Sequence, residues 1–548
     1  MNDLVKAIFP NLKYSREEIL NKYPRREKGT VVTRLAPSPT GFLHIGGVYT
    51  AMINEHIAHQ NGGVFFLRIE DTDKKREQDG AINIICEVFK RLGLNPDEGV
   101  ITPNEEKGIY GPYIQSNRVD IYHAFASDLL ERGLAYPCFA TEDELNEIRE
   151  AQTKDKVTPG YYGKYAKYRN YPADLAIKRI NSGEEYVLRF KVPEDEPQRV
   201  LVHDLIKGDI EMDNNFNDFV LLKADGVPTY HFAHAIDDYL MGTSVVIRGD
   251  EWVSSLPIHI ELFKYLGFRQ PEYAHVAPVM KMDGESRRKL SKRKDPEANA
   301  MFYIEQGYPV KAIYAYLYTL INSNFEEWYQ ANPNAPLSEF KFTYENMGID
   351  GPLFDLMKLD NISKEIIYNT SVDENVKKLL EWAQEFDKDL FDRFTSNIEL
   401  VTNIFKTQGP ESQEHRKDLA NYSSFMSEFG FLYNDVFDNN PVSKTLLLEN
   451  VCKENVLYLR DGYLAYFDEL KNGTEKTMKD LAKEMGYTDK KKYTKNPEAY
   501  KGMFPEFYHF LRILVTNKTQ GISMDDVIKV IGLDEVIRRV KEFNYEEL

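Results

Sequence analysis

A chain of 548 residues that is 42% apolar, 28% charged and 13% aromatic has the balance of an ordinary globular protein, and at about 150 residues per domain it suggests three or four domains. Its three cysteines, Cys86, Cys138 and Cys452, stand far apart with no CxxC pair, which argues against a disulfide framework and against a structural zinc of the usual spacing. A net charge of −18 speaks against nucleic-acid binding through bulk charge. A bound phosphate backbone, however, feels the field only within about 8 Å at physiological salt, so local clusters of Lys and Arg decide the matter.

Residues 1–30 read as a polar, partly helical appendage. They lack the apolar run of a signal peptide, their acidic residues fit a transit peptide poorly, and no later stretch approaches the ~18–20 apolar residues of a membrane span. A cytoplasmic protein with no membrane partner is expected. VVTRLAP (31–37) begins as a buried strand and is broken by the PSPTG turn (37–41), after which 45–60 suits a helix. VFFLRIED (64–71) follows the Gly62-Gly63 turn as a second strand, completing a βαβ pattern and predicting a parallel sheet. Between 115 and 229 the pattern is mixed: a charged helix near 141–153, a Tyr/Lys-rich loop near 160–170, and strand-like YVLRFKV (186–192) and VLLK (220–223). Residues 230–280 return to α/β character. Beyond about 300 the strands fade, Val376, Leu379, Leu380 and Ala383 recur at helical spacing, and DDVIKVIGLDEVIRRVKEF closes the chain in the same manner.

The chemistry concentrates in two strings. In RLAPSPTGFLHIGG (34–47) a strand ends in a Pro/Gly turn at the carboxyl edge of the sheet, where open α/β folds bind ligands. His44, Gly46 and Gly47 then open a helix whose free N–H groups and positive dipole suit a phosphate. A lone HxGG reads more readily as a surface turn; the fourteen-residue string is what carries weight. In the second, residues 287–294 place Arg287, Arg288, Lys289, Lys292, Arg293 and Lys294 within eight positions. Such a run is as often a solvated basic loop, but in an acidic chain six clustered cations repel one another unless an anion neutralises them, and a triphosphate would.

The PSPTGxxHIGG element paired with KLSKRK (289–294) resembles the two signatures of class I aminoacyl-tRNA synthetases. RIEDTD (68–73), PTYHFAHAIDDYLMG (228–242) and VIRGDEW (246–252) are similar to the bacterial glutamyl branch of that class, and FLRILVTNKTQGI and VIGLDEVIRRV to its carboxyl-terminal anticodon domain. The resemblance spans residues 31 to 545 and implies an ATP-dependent, Mg2+-assisted ligation of L-glutamate to tRNA(Glu) by a monomer. It implies that His44, Lys289 and Lys292 are catalytic, and that Gly46, Glu251, Trp252 and Met280 join them around ATP. Arg34, Ala36, Ser38, Glu70, Tyr230, His234 and Arg248 would bind glutamate, with Glu70 on the ammonium and Arg34 nearer the side-chain carboxylate, the reverse order of the two arginines remaining open.

The fold implied is an α/β Rossmann-like catalytic domain with an inserted α+β acceptor-binding domain, followed by a mostly α-helical carboxyl-terminal region. In residue terms this means an extension (1–30), catalytic halves (31–114 and 230–288) around the insertion (115–229), a linking stem-contact domain with the KLSKRK loop (289–375), and an anticodon-binding domain (376–548). Three positions depart from the commonest pattern: His234 stands where asparagine is frequent, Gly47 where the class-wide motif ends in histidine, and Asp295 where serine is usual. Cys138 has no neighbouring cysteines, so no zinc is expected. The rival readings are a glutaminyl-tRNA synthetase, which a strand-rich carboxyl-terminal region would favour, a truncated paralogue that glutamylates a modified tRNA base, which would lack an anticodon domain, and a non-catalytic synthetase-like tRNA-binding protein.

Overall fold

The computed structural model describes residues 3–410, 412 and 414–548, which form two compact units. One runs to Phe302 and includes Tyr314–Asp355; the other comprises Tyr303–Ile313 and Leu356–Leu548.

The first unit is built on parallel strands. The β-branched start of VVTRLAP becomes β1 (Val32–Leu35), buried at every position. The PSPTG turn leads into α1 (Ile45–Gln60), which is buried along most of its length. At the Gly62-Gly63 turn the chain doubles back so tightly that a Cβ on Gly63 would lie 2.0 Å from the Val31 carbonyl. It then enters β2 (Val64–Leu67), which pairs in parallel with β1 from Val32↔Val64 to Leu35↔Leu67. β3 (Glu98–Thr102) adds in parallel on the far side of β2. After α2 (Tyr230–Leu240), a second parallel pair forms from β4 (Val245–Gly249) and β5 (Glu272–Val276), with Arg248 in register with His275. The two sheets meet at Val32, whose N–H donates to Ser244 Oγ (2.7 Å) and whose carbonyl accepts from Ser244 N (3.0 Å).

Residues 115–229 carry a three-stranded antiparallel sheet, Ala135–Cys138, Val187–Phe190 and Val220–Leu222, over an aromatic cluster that buries Cys138 beside Tyr136, Phe139, Tyr161 and Tyr168. The charged helix Glu142–Asp155 opens with a capping box between Thr141 and Glu144, which satisfies two otherwise free N–H groups. The hairpin Arg199–Asp204/Gly208–Asp213 joins the β4–β5 sheet, pairing Asp204 with Tyr273.

The second unit is helical. Leu379 and Ala383 of the periodic stripe are fully buried in Val372–Phe386, and Val376 and Leu380 pack at the edge of the same core. The closing segment divides at Gly532 (φ +85) into Met524–Ile531 and Leu533–Glu542. Among the described residues its strands are two residues long, Tyr487–Thr488 and Gly502–Met503. No helix of the described residues is long and apolar enough to cross a membrane.

The amino-terminal appendage forms helices Asp3–Ile8 and Arg16–Lys22 and is tied down by polar contacts. Arg26 makes a two-pronged pair with Glu98 (2.7 and 3.1 Å) and donates to the Met241 carbonyl (2.8 Å). Tyr23 donates to the Gly111 carbonyl (2.9 Å) and accepts from Arg118 (3.3 Å). Arg118 is buried and donates to Asp237 (2.8 Å), which also accepts from Gln115 (2.9 Å) and Tyr122 (2.8 Å). Removing one partner of a buried ion pair leaves the other charge unsolvated, which costs about 3–5 kcal/mol. Arg118→Ala should therefore lower the thermal unfolding transition of this unit by several degrees; a variant that melts with the wild type would show that water replaces the guanidinium at no cost.

Candidate active site

The carboxyl ends of β1, β2, β4 and β5 converge on a cavity of about 870 Å³, a size typical of small-molecule sites. Its wall is formed where the chain leaves each strand: Leu35–Ser38 at β1, Glu70 beyond β2, Gly249, Glu251 and Trp252 at β4, and Val276–Val279 at β5.

At one end the two sequence strings touch. His44 is the N-cap of α1; its Nδ1 accepts from the Gly46 N–H (2.8 Å), so its proton sits on Nε2, which donates to the Leu290 carbonyl (3.2 Å). Lys292 in turn donates to the Phe42 carbonyl (2.8 Å). Residues 246 and 250 positions apart are thereby cross-linked at the mouth of one cavity. Burial, reinforced by the Lys292 and Lys289 cations, holds the His44 imidazole below its ordinary pKa and so neutral at pH 7. Burial likewise lowers the Lys292 ammonium.

Not all the charge of the basic run is left open. Arg288 grips Asp295 with both terminal nitrogens (2.6 and 2.8 Å) and Asp283 with Nε (2.8 Å), and Lys281 lies 3.3 Å from Asp295. Asp295 also accepts from the Ser291 N–H (2.8 Å), closing the loop. The hydrogen bond from Arg288 holds the Asp295 carboxyl well below its usual range. The repulsion that sequence assigned to an external anion is thus partly met within the chain, and Asp295, the unusual residue at the end of KLSKRK, is its internal anchor. Lys289 remains exposed, 3.7 Å from Glu251.

The other end holds paired charges. Asp238 is fully buried on α2 and accepts from Arg34 Nε (3.2 Å to each oxygen), Arg68 (2.7 Å) and Thr243 (3.2 Å), with His234 Nδ1 at 2.8 Å. Burial opposes the charged form, but Arg34, Arg68 and His234 hold Asp238 well below the carboxylate range. Arg68 also donates to Glu70 (3.0 Å), whose carboxyl burial pushes up against the pull of Arg68 and Arg34. Arg248 approaches from β4 and donates to Tyr230 Oη (3.3 Å).

Of the residues singled out from sequence, Arg34, Ala36, Ser38, His44, Gly46, Glu70, Tyr230, Arg248, Glu251, Trp252, Lys289 and Lys292 line this single cavity. Two do not. Met280 lies in the strand Met280–Asp283, paired with Lys289 at the base of the basic loop. His234 is wholly buried behind the wall, stacked near Tyr230 at 5.8 Å between ring centres. Sequence reasoning passed over Arg68 and Asp238 as side chains although both lie in the strings it quoted. The available signal was His234 and Asp238 four apart on one helix face.

Burial holds His234 down to about 3 and His231 down to about 4, against 6.5 unfolded. A depressed imidazole pKa means that the unfolded chain binds the extra proton, so the stability these residues confer is present above pH 6.5 and is lost as pH falls below it. For His234 alone the loss between pH 7 and pH 5 is about 2 kcal/mol. The thermal transition of the first unit should fall over that range, and less steeply in His234→Asn; equal slopes would mean that the imidazole charges freely in the folded protein.

Comparison with known proteins places relatives on both units. The family described as class I tRNA synthetases (E and Q), catalytic domain, matches residues 30–328, and an anticodon binding domain matches residues 416–544. A glutamate–tRNA ligase of Clostridium perfringens is 44% identical over 546 residues, covering 99% of each chain. One from Acetivibrio thermocellus is 39% identical over 547 residues, covering 98% of each. The crystal structure of a glutamate tRNA ligase from Elizabethkingia meningosepticum in complex with its amino acid superimposes with a TM-score of 0.72 at 26% identity, covering 95% of this chain and all of that one.

Proposed function

The chain belongs to the class I aminoacyl-tRNA synthetases of the glutamate and glutamine branch, and we propose that it ligates L-glutamate to tRNA(Glu) in two ATP-dependent steps. The observation that carries the reading is the contact of the HIGG and KLSKRK segments through Leu290 and Phe42, at the mouth of a cavity whose other end holds Arg34, Arg248 and Glu70.

In the first step an oxygen of the glutamate α-carboxylate bonds to the α-phosphorus of ATP while the bond to the β-phosphate oxygen breaks, and pyrophosphate leaves with that electron pair. A carboxylate is ionised at neutral pH, so the step needs no general base. It needs orientation and neutralisation of charge spreading over the phosphates. Lys289 and Lys292 supply cations on a loop pinned by Asp295, and the opening of α1 supplies N–H groups and dipole near Gly46. His44 carries its donor proton on Nε2, where a phosphate oxygen competes with Leu290 for it. Glu251 and Trp252 border the nucleotide, and Met280 acts only from the base of the loop, through its strand pairing with Lys289. In the second step the 2′-hydroxyl of the terminal ribose attacks the carbonyl carbon of glutamyl-adenylate, AMP departs with the bonding pair, and the hydroxyl proton passes to phosphate or solvent.

Glu70 receives the ammonium, Arg34 and Arg248 the carboxylates, with Ala36, Ser38 and Tyr230 completing the pocket and His234 bracing it from behind through Asp238. Among the described residues no group of three His, Cys, Asp or Glu side chains is placed to hold a metal ion, and Mg2+ would enter the site with the ATP phosphates. Bound there, it would add positive charge to the triphosphate; the protein's own share remains the two lysines and the helix terminus. The catalytic halves flank an acceptor-binding insertion at 115–229, a stem-contact segment carries the KLSKRK loop, and the helical region from 376 reads the anticodon. The enzyme acts as a cytoplasmic monomer. The helical second unit disfavours the glutaminyl reading, which goes with a strand-rich carboxyl-terminal region.

Offering glutamate and glutamine separately, with glutamate- and glutamine-specific tRNAs, should yield charging of tRNA(Glu) with glutamate alone; esterification of glutamine would refute the reading. Lys292→Ala should slow glutamate-dependent pyrophosphate exchange by at least about 100-fold, the scale of losing one transition-state donor, without shifting the melting transition.

A further inference from the structure

The two arginines of the pocket are held by opposite kinds of partner. Arg34 rests on the Asp238 carboxylate, which it shares with Arg68, so it already has an anionic partner. Arg248 is equally buried, at 5% exposed, yet its hydrogen-bond partners among the described residues include no carboxylate. Nε donates to His275 Nε2 (3.0 Å), Nη2 to His259 Nδ1 (3.2 Å) and the Trp252 carbonyl (3.4 Å), and Nη1 to Tyr230 Oη (3.3 Å).

A guanidinium only donates, so each imidazole nitrogen facing it must offer a lone pair. That requirement fixes the protons of a whole cluster. His275 accepts at Nε2 and therefore carries its proton on Nδ1, which donates to Asp204 (2.6 Å). His259 accepts at Nδ1 and carries its proton on Nε2, which donates to His231 Nδ1 (3.0 Å). Every contact then has one donor and one acceptor, with all three imidazoles neutral. Burial favours the same state, lowering His259, His275 and His231 below the ordinary histidine value. Asp204 is itself fixed: it is fully buried and accepts from the backbone N–H groups of Ile206 (3.0 Å), Lys207 (2.9 Å) and His275 (3.1 Å). Strand register places the parts, pairing Arg248 with His275 and Asp204 with Tyr273.

We propose that His275, oriented by Asp204, and His259 are positioning and specificity residues that present Arg248 to a carboxylate of the amino acid as a buried cation with no counter-charge of its own. Neutral acceptors hold the guanidinium less strongly than carboxylates would, but they fix its direction and leave its charge for the substrate. A ligand lacking that negative charge leaves a buried cation unmatched, which penalises an uncharged isostere more strongly than shape could. The inference rests on the glutamate-ligase reading of the site.

The test changes charge at constant shape. In His259→Asn the amide oxygen stands where Nδ1 stood, a neutral acceptor; in His259→Asp the same position becomes anionic. With the full-length enzyme, tRNA(Glu), ATP and glutamate, His259→Asn should keep the KM for glutamate within about 5-fold of wild type, whereas His259→Asp should raise it at least about 30-fold, with the KM for ATP unchanged in both. Equal shifts in the two variants, or a parallel shift for ATP, would reduce His259 to a structural role and overturn the proposal. Asp204→Asn provides a second route that leaves the cavity wall untouched: without the carboxylate the His275 proton moves to Nε2, facing the guanidinium donor to donor. It should raise the glutamate KM about 10-fold at constant KM for ATP, and an unchanged value would count against the proposal. A wild-type enzyme that charges no glutamate defeats the reading of the site and this inference with it, whereas normal wild-type charging with indistinguishable Asn and Asp variants defeats the inference alone.

Discussion

Asp238 sits in the first unit with no solvent contact, and three side chains from three different elements reach it: the cations Arg34 from β1 and Arg68 from the end of β2, and the imidazole of His234 from its own helix. A buried carboxylate without partners would cost several kcal/mol, so the strands and α2 must keep the relative positions that bring these donors in. The same contacts aim Arg34 and place Glu70, which shares Arg68, at the cavity wall. The end of the cavity that carries Arg34 and Glu70 is therefore held by a charge network that also holds the sheet. A second buried carboxylate, Asp237, extends that network through Arg118 to Tyr23 of the amino-terminal appendage, which gives residues outside the matched catalytic region a structural role.

The end that carries Lys289 and Lys292 follows a different rule. There the cations stand near the surface on a loop, and internal anions hold the loop's base while leaving two of its lysines open. Asp295 and Asp283 take Arg288, and Asp295 takes Lys281, while Lys289 and Lys292 face the cavity. At one end Arg34 and Arg68 are thus paired with buried carboxylates, and at the other Lys289 and Lys292 stand on a loop whose base is held by internal anions. The neutral state of His44 fits this division, since burial first, and then the neighbouring Lys292 and Lys289, oppose a further proton there.

Much of this was legible in the chain itself. The βαβ start, the turn between β1 and α1, the helical character beyond residue 370 and the residues of the two signature strings all follow from local rules: hydrophobic period, Gly/Pro punctuation, and a phosphate-suited helix start. Those rules act over a few residues and need no knowledge of what lies opposite.

What tertiary structure alone decided is which charges face one another. Composition and spacing cannot say that Arg34 meets a carboxylate whereas Arg248 meets two imidazoles, because those partners come from strands and helices 11 to 204 positions away. Nor could they reveal that Asp295 neutralises part of the basic run, or that His234 lies behind the wall rather than in it. The physical reason is range. Secondary structure is set by neighbours along the chain, whereas the protonation and charge state of a buried side chain is set by whatever the folded sheet brings within about 3 Å of it.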